Sequence, residues 1–262
     1  MQLTVNRQSA YAAAANRPVD AARPSVLFVH GAAMDHTVWV LPKRYFVRKG
    51  YNVLAVDLPG HGRSQGEPFD TIEANADWLV QVLDAAGIER TAVVGHSMGS
   101  LIALDFAARH GDRVRSVVLI GSAVPMAVAD KLMNAAAEDK PAAFEMVNTW
   151  GHSKRAQVGG NPNPGIWMTG CGIRLLEASR PGTLHADLQA CHQYTAGVQR
   201  AANIACPVLL ILGSEDVMTP PSIARDIAAA APDSRTLLLP GSGHALMTER
   251  PDEVLDALIE AV

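Results

Sequence analysis

Short uninterrupted apolar runs alternate with longer amphipathic ones along this chain, the pattern of a mostly parallel sheet covered by helices. Ser25 to Val29 (SVLFV), Tyr51 to Val56, Thr91 to Val94, Val114 to Ile120, Pro207 to Leu212 and Arg235 to Leu239 read as strands. Residues 3–5 and 8–14 add an opening hairpin at one edge, although its alanines are weak strand formers. Residues 71–86 set Ile72, Ala76, Leu79 and Leu83 three or four apart on one helical face. Further helices are expected at about 98–110, 220–230 and 251–261. The fold class is therefore α/β.

Residues 123–203 have a different character. Helical patterns run over about 125–138, 141–149 and 173–195, the Gly/Pro/Asn-rich stretch GGNPNPG at 159–165 reads as a loop, and no good strand is visible. The simplest account is a helical lid inserted into a core domain, giving core at 1–122, lid at 123–203 and core again at 204–262. Two extra strand–helix units with weak strands are the alternative.

Composition narrows the partners. The 262 residues are 48% hydrophobic and 18% charged, enough apolar side chain to close a large core and too much for a disordered chain. Net charge is −4 with no dense Lys/Arg block, so no nucleic-acid partner is expected. No apolar run approaches the roughly 18 residues of a membrane span, and the N-terminus lacks a basic leader followed by an apolar stretch, which makes the cytoplasm the expected location. Cys171, Cys191 and Cys206, odd in number and without C-x-x-C spacing, read as reduced, partly buried thiols. No metal-ligand spacing, G-x-G-x-x-G or P-loop occurs, so neither a metal nor a cofactor is expected. What remains is a small-molecule partner with an apolar part. Nothing in the chain sets an oligomeric state.

The chemistry gathers around Gly95-His96-Ser97-Met98-Gly99. A serine in a turn between a β-branched run and a helix-forming run is held in a strained conformation with its hydroxyl pushed outward, and the flanking glycines remove side chains that would collide across the turn. An ordinary helix N-cap serine is the alternative. A serine hydroxyl needs a general base. His244, in Gly241-Ser242-Gly243-His244-Ala245 after the last strand, is best placed among the nine histidines. Asp216, just beyond the 207–212 strand, would orient that imidazole, with adjacent Glu215 as the alternative. The backbone N–H groups of Met98 and of Ala32, in the loop after the 25–29 strand, are the candidate oxyanion donors.

In this order, HGAAMD (30–35), DLPGHGRS (57–64), GHSMGS (95–100), GSEDVMTP (213–220) and GSGHALM (241–247) make the chain resemble the α/β-hydrolase superfamily, most closely its lid-bearing, single-domain serine esterase-like branch. The resemblance covers nearly the whole chain. It implies an eight-stranded, mostly parallel sheet with a cap after the sixth strand, following Ile120, and Ser97, Asp216 and His244 as the triad. Ser100 departs from the family, where a second glycine often follows the elbow. Serine rather than aspartate at 97 puts the epoxide-hydrolase and dehalogenase branches in doubt.

The expected activity is acyl transfer to water, by a carboxylesterase acting on small to medium esters. A carbon–carbon bond hydrolase of ring-cleavage diketone acids is the alternative and would need a basic residue in its pocket. Lactonase, perhydrolase and non-catalytic receptor readings also remain. Within the lid, Trp150, Trp167, Met168 and Met126 are candidate pocket residues, with Met146, Met133 and His152 nearby in sequence, although packing against the core explains each one alone. Lys154 and Arg155 read as solvated charge, with contact to a substrate carboxylate as the alternative. By the resemblance, Asp57, His61 and Arg63 belong to a turn that braces the active-site face; His96 reads as a packed or hydrogen-bonded ring, and His30 and Asp35 either orient the oxyanion loop or serve plain turn chemistry.

Overall fold

In the computed structural model, which describes residues 1–161 and 165–262, eight strands form one sheet: β1 (Gln2–Val5), β2 (Gln8–Ala13), β3 (Ser25–Val29), β4 (Asn52–Val56), β5 (Thr91–His96), β6 (Val114–Ile120), β7 (Val208–Gly213) and β8 (Ser234–Leu239). Their order is β1-β2-β4-β3-β5-β6-β7-β8. The β1–β2 and β2–β4 pairs are antiparallel and every other pair is parallel. Every residue of β3, β4, β5 and β7 is buried, as strands covered on both faces require. At the edge, β8 leaves much of its length open to solvent.

The flanking helices are α1 (Val40–Arg48), α2 (Ile72–Ala86) and α3 (Met98–Arg109), then α4 (Asp130–Ala137), α5 (Pro141–Gly151), α6 (Lys154–Gln157), α7 (Met168–Glu177), α8 (Thr183–Gln193) and α9 (Gly197–Ala201) between β6 and β7. After β7 come α10 (Pro221–Ala230), α11 (Leu246–Glu249) and α12 (Pro251–Ala261). One core packs α2, α3 and α10 on one face of the sheet through Leu79, Leu83, Leu101, Phe106 and Ile227. A second packs α1 and α12 on the other through Phe46, Val254 and Leu258. Thr71 caps α2 by accepting the Ala74 amide, and Gly87 ends it in a left-handed conformation. No helix among the described residues is long and apolar enough to cross a membrane.

The strands fall within a residue or two of their expected places. Three helical expectations change. α1 was not anticipated, because VLPKRYFVR carries a proline and buries only Pro42 and Phe46. The helix expected from 125 starts only at Asp130; Ala127, Val128 and Ala129 line a cavity instead. The single helix expected over 173–195 is two, α7 and α8, interrupted at Pro181-Gly182, where Gly182 takes φ 78°. The loop expected at 159–165 includes 162–164, which lie outside the described residues.

Helices α4, α5, α7 and α8 share a small apolar core of their own. Leu132, Ala136, Ala143, Val147, Leu176, Leu184 and Leu188 pack together and onto Ala33 of the loop after β3. The helical segment therefore rests on the carboxyl ends of the strands, where open α/β sheets place their ligands.

Candidate active site

Ser97 lies between the last residue of β5 and the first of α3 with φ 55° and ψ −121°, a conformation that non-glycine residues rarely hold. Neighbouring backbone enforces it. A Cβ at Gly95 would run into the Gly99 carbonyl, and one at Gly99 into the carbonyls of Val29 and His30. Ser97 N–H donates to Ile120 O at 2.9 Å, and the Ser100 hydroxyl donates to Ser97 O at 2.6 Å. Ser100, the departure noted in the sequence, thus ties down the turn. The Ser97 side chain makes no capping hydrogen bond, so the N-cap reading fails.

His244 is held on every side but one. Its Nδ1 lies 2.8 Å from Asp216 Oδ2 and 3.0 Å from Thr219 Oγ1. Thr219 spends its own proton on Asp216 Oδ2 at 2.6 Å, so both groups accept from Nδ1–H. That fixes the proton on Nδ1 and leaves Nε2 as the basic nitrogen. Nε2 is buried and has no hydrogen-bond partner among the described residues. The His244 carbonyl accepts from His96 Nε2 at 3.0 Å, and the two rings lie 4.8 Å apart. Burial and the neighbouring His244 ring push His96 down to about 3, so it is a neutral prop. A Cβ on Gly121 (φ 58°) would come within 3.0 Å of the His244 ring.

Asp216 is buried, whereas Glu215 is exposed, which separates the two candidate acids. Asp216 Oδ1 accepts the amides of Met218 at 2.9 Å and Thr219 at 2.8 Å. Burial alone would raise its pKa; the charge and hydrogen bond of His244 and the donors of Thr219 outweigh that and hold it below the usual carboxylate range. Sequence reasoning missed Thr219, although a threonine three residues after an aspartate in a strand-end turn is placed to donate back to it.

Facing Ser97 is the loop His30-Gly31-Ala32-Ala33. A Cβ on Gly31 would lie 3.1 Å from Ser97 Cβ, so the absent side chain permits the close approach. Ala32 lines the same cavity as Ser97 and His244. The Met98 amide opens α3 and has no intrahelical acceptor. His30 donates from Nδ1 to Gly31 O at 2.8 Å and accepts the Leu58 amide on Nε2 at 3.1 Å, so its ring is neutral; burial and nearby His61 lower its pKa to about 4. Ala33, at φ 53°, donates its amide to Asp187 Oδ2 on α8 at 2.8 Å. Asp187 was not foreseen, since a lone aspartate in an amphipathic helix carries no local signal.

The turn at 57–63 is held through Asp57. Asp57 accepts from His36 N–H and Nδ1 at 2.8 Å and from Arg63 N–H at 2.9 Å, while Arg63 lies over the Tyr11 ring. Asp35 caps the following turn by accepting Thr37 N–H. The ligand atoms of Asp35, His36 and Asp57 lie within 4.8 Å of one another. The hydrogen bonds of the turn already occupy these groups, and we read the cluster as a brace.

Two apolar lobes meet at His244. The first, about 140 Å³, holds Ser97, Ala32, Met126, Leu132, Trp150, Leu184 and Leu188. The second, about 220 Å³, is lined by His96, His152, Met168, Cys171, Leu176 and Met247. Met34, Val147 and Met218 border both. No Lys, Arg, Asp or Glu lines either lobe among the described residues.

Of the candidate pocket residues, Met126 and Trp150 fall in the first lobe and Met168 in the second. Trp167 does not: it is 72% exposed, lines neither lobe, and packs its ring over Gly170 of its own helix. Met133 and Met146 pack within the helical segment instead. Lys154 and Arg155 are exposed. Cys191 and Cys206 are buried, and burial pushes both thiols up. Cys171, expected partly buried, is exposed at the second lobe.

Comparison with known proteins agrees with this fold. A model of the alpha/beta hydrolase family matches residues 26–257. A pimeloyl-(acyl-carrier protein) methyl ester esterase of Chromobacterium violaceum is 30% identical over 246 residues, covering 90% of this chain and 93% of that protein. Among solved structures, the enol-lactonase of Burkholderia xenovorans superposes with TM-score 0.85 at 20% identity, covering 99% of this chain and 98% of that one. A thermophilic esterase of Thermogutta terrifontis gives 0.83 at 21% identity, covering 99% and 96%. By the family model over residues 26–257 and the relative at 30% identity, the chain belongs to the alpha/beta hydrolase family.

Proposed function

We propose that the protein is a serine carboxylesterase acting on small to medium uncharged esters. One observation carries this reading: His244 has its proton fixed on Nδ1 by Asp216 and Thr219, its Nε2 has no hydrogen-bond partner among the described residues, and His244 and Ser97 line the same cavity. In the mechanism, Nε2 removes the Ser97 proton as Oγ attacks the ester carbonyl. The amides of Ala32 and Met98 receive the developing oxyanion. His244, held by Asp216, then protonates the leaving alkoxide, and in the second half it activates water against the acyl-enzyme.

The two lobes suggest how an ester lies. Ser97 and Ala32 line only the first lobe, so the acyl chain extends among Leu132, Leu184, Leu188 and Trp150. His244 borders both lobes, so the leaving group it protonates extends into the second. On this account residues 123–203 form a lid that walls both subsites.

A diketone acid would bring a carboxylate into a cavity that no Lys or Arg lines among the described residues, and desolvating it there would be unfavourable; this disfavours the carbon–carbon hydrolase alternative. The methyl ester esterase from C. violaceum is in keeping with an ester carbonyl. A panel of p-nitrophenyl esters from acetate to octanoate, run beside lactones and ring-cleavage diketone acids, tests the reading. Neutral esters are expected to be turned over best, with Ser97→Ala slower by roughly 10⁴-fold or more. Preference for the diketone acids, or near-normal ester turnover by Ser97→Ala, would contradict it.

A further inference from the structure

We propose that Asp187, on α8 of the lid, is a positioning residue that holds the oxyanion loop in register with Ser97. The proposal rests on the hydrolase reading above and extends it to a residue that touches neither substrate nor nucleophile.

A single oxygen, Asp187 Oδ2, accepts two hydrogen bonds of 2.8 Å: one from the Ala33 amide, one from His61 Nε2. The other ring nitrogen of His61 faces Pro59 O at 2.9 Å. Both ring nitrogens therefore face acceptors, and the ring satisfies them only by carrying two protons. Asp187 and His61 are 1% and 3% exposed, so this is a buried ion pair joining lid to core. A carboxylate buried in that manner is fixed in place by its partners.

Ala33 shows why the loop needs holding. Its φ of 53° is left-handed, which a residue with a Cβ adopts only under restraint. The amides of Ala32 and Ala33 flank the Ala32 Cα, so anchoring the second limits rotation of the first. Ala32 N–H is the amide assigned to the oxyanion. The same helix supplies Leu184, Leu188 and Cys191 to the acyl lobe. Acyl binding and oxyanion geometry thus share one support, and a lid that docks correctly also sets the donor.

The test needs a signal that loss of stability alone does not move. Thionoesters put sulfur, a poor hydrogen-bond acceptor, where the oxyanion forms, so the ratio of kcat for an ester to kcat for its thionoester reports the oxyanion donors. Asp187→Ser, too short to reach Ala33, is expected to lower ester kcat roughly 10- to 100-fold, with KM and the thionoester rate changing less than about threefold. Asp187→Asn keeps an oxygen for Ala33 but no charge for His61. It should lose thermal stability yet hold the ratio within about threefold of the unaltered protein. Active-site titration with a fluorophosphonate corrects each sample for its folded fraction.

A further measurement needs no variant: the Ala33 amide of the unaltered protein should exchange with deuterium far more slowly than an open loop amide. Equal losses on both substrates in Asp187→Ser, or rapid exchange at Ala33, would overturn the proposal. Failure of the unaltered protein to react with the fluorophosphonate would instead overturn the hydrolase reading, and the positioning role with it.

Discussion

The strand-end loops and the helical segment above them line one cavity, yet they are built on different principles. In the loops, each reacting group is fixed by polar contacts and by backbone that admits no side chain. Asp216 accepts four hydrogen bonds, from Met218 N–H, Thr219 N–H, Thr219 Oγ1 and His244 Nδ1. Gly95 and Gly99 leave the Ser97 turn no room to relax. In the helical segment the lining is mostly Met, Leu, Val and Trp, held by apolar contacts among α4, α5, α7 and α8. Directional bonds define one geometry, whereas apolar packing tolerates exchange of similar volumes. On the proposed function, reaction type is set in the loops and selectivity in the segment, with Asp187 as a polar tie between them.

The largest expected effect breaks the loop side. His244→Ala should lower kcat by roughly 10⁴-fold or more at little cost in thermal stability, measured by steady-state kinetics and calorimetry. Thr219→Val comes next. It removes one donor to Asp216 and one acceptor for His244 Nδ1–H, a loss of about 1 to 1.5 kcal/mol, or roughly tenfold in kcat with KM unchanged. A rise in KM alone, with kcat unchanged, would show that Thr219 acts on ground-state binding instead.

On the segment side, Leu188→Trp adds bulk to the acyl lobe. It should leave acetate turnover within about threefold while lowering octanoate turnover roughly tenfold, so that the chain-length profile moves without loss of chemistry. Equal losses across all lengths would mean that the segment does not set selectivity.

The smallest effect lies at the joint. Burial works to lower the pKa of His61, but the charge and hydrogen bond of Asp187, the Pro59 carbonyl and Asp57 outweigh it and raise the net value. A pKa raised by folding adds stability that is fully present below the unfolded value of about 6.5 and is lost as pH rises through the folded value. The difference in thermal midpoint between the unaltered protein and His61→Gln should therefore be widest near pH 6 and shrink by a few degrees toward higher pH. A gap that widens with pH would show that the pair is not ionised as described.

The same contrast explains what the sequence made legible. Ser97, Asp216 and His244 lie in short motifs at strand ends, where glycine spacing and strand-to-helix transitions record the backbone directly. The buried runs SVLFV and VRSVVLI became strands for the same reason. Helix α1 hid behind Pro42 and its charged residues. The break between α7 and α8 was written in Pro181-Gly182, but helical periodicity on either side masked it. Trp167 reads as a pocket residue by type and as a surface residue by position, a distinction set by how the chain enters α7. Thr219 and Asp187 act through partners that come close only on folding, His244 lying 25 residues from Thr219 and Ala33 lying 154 from Asp187.

The central claim is that Ser97 forms a covalent acyl intermediate with His244 as its base. Rapid acid quench of a reaction with p-nitrophenyl butyrate, followed by intact-protein and peptide mass spectrometry, tests it most directly. The account predicts one butyryl adduct per chain, located on Ser97, absent from Ser97→Ala and formed orders of magnitude more slowly in His244→Ala. Ester hydrolysis by Ser97→Ala at an undiminished rate, or an adduct on another residue that turns over with the reaction, would contradict it.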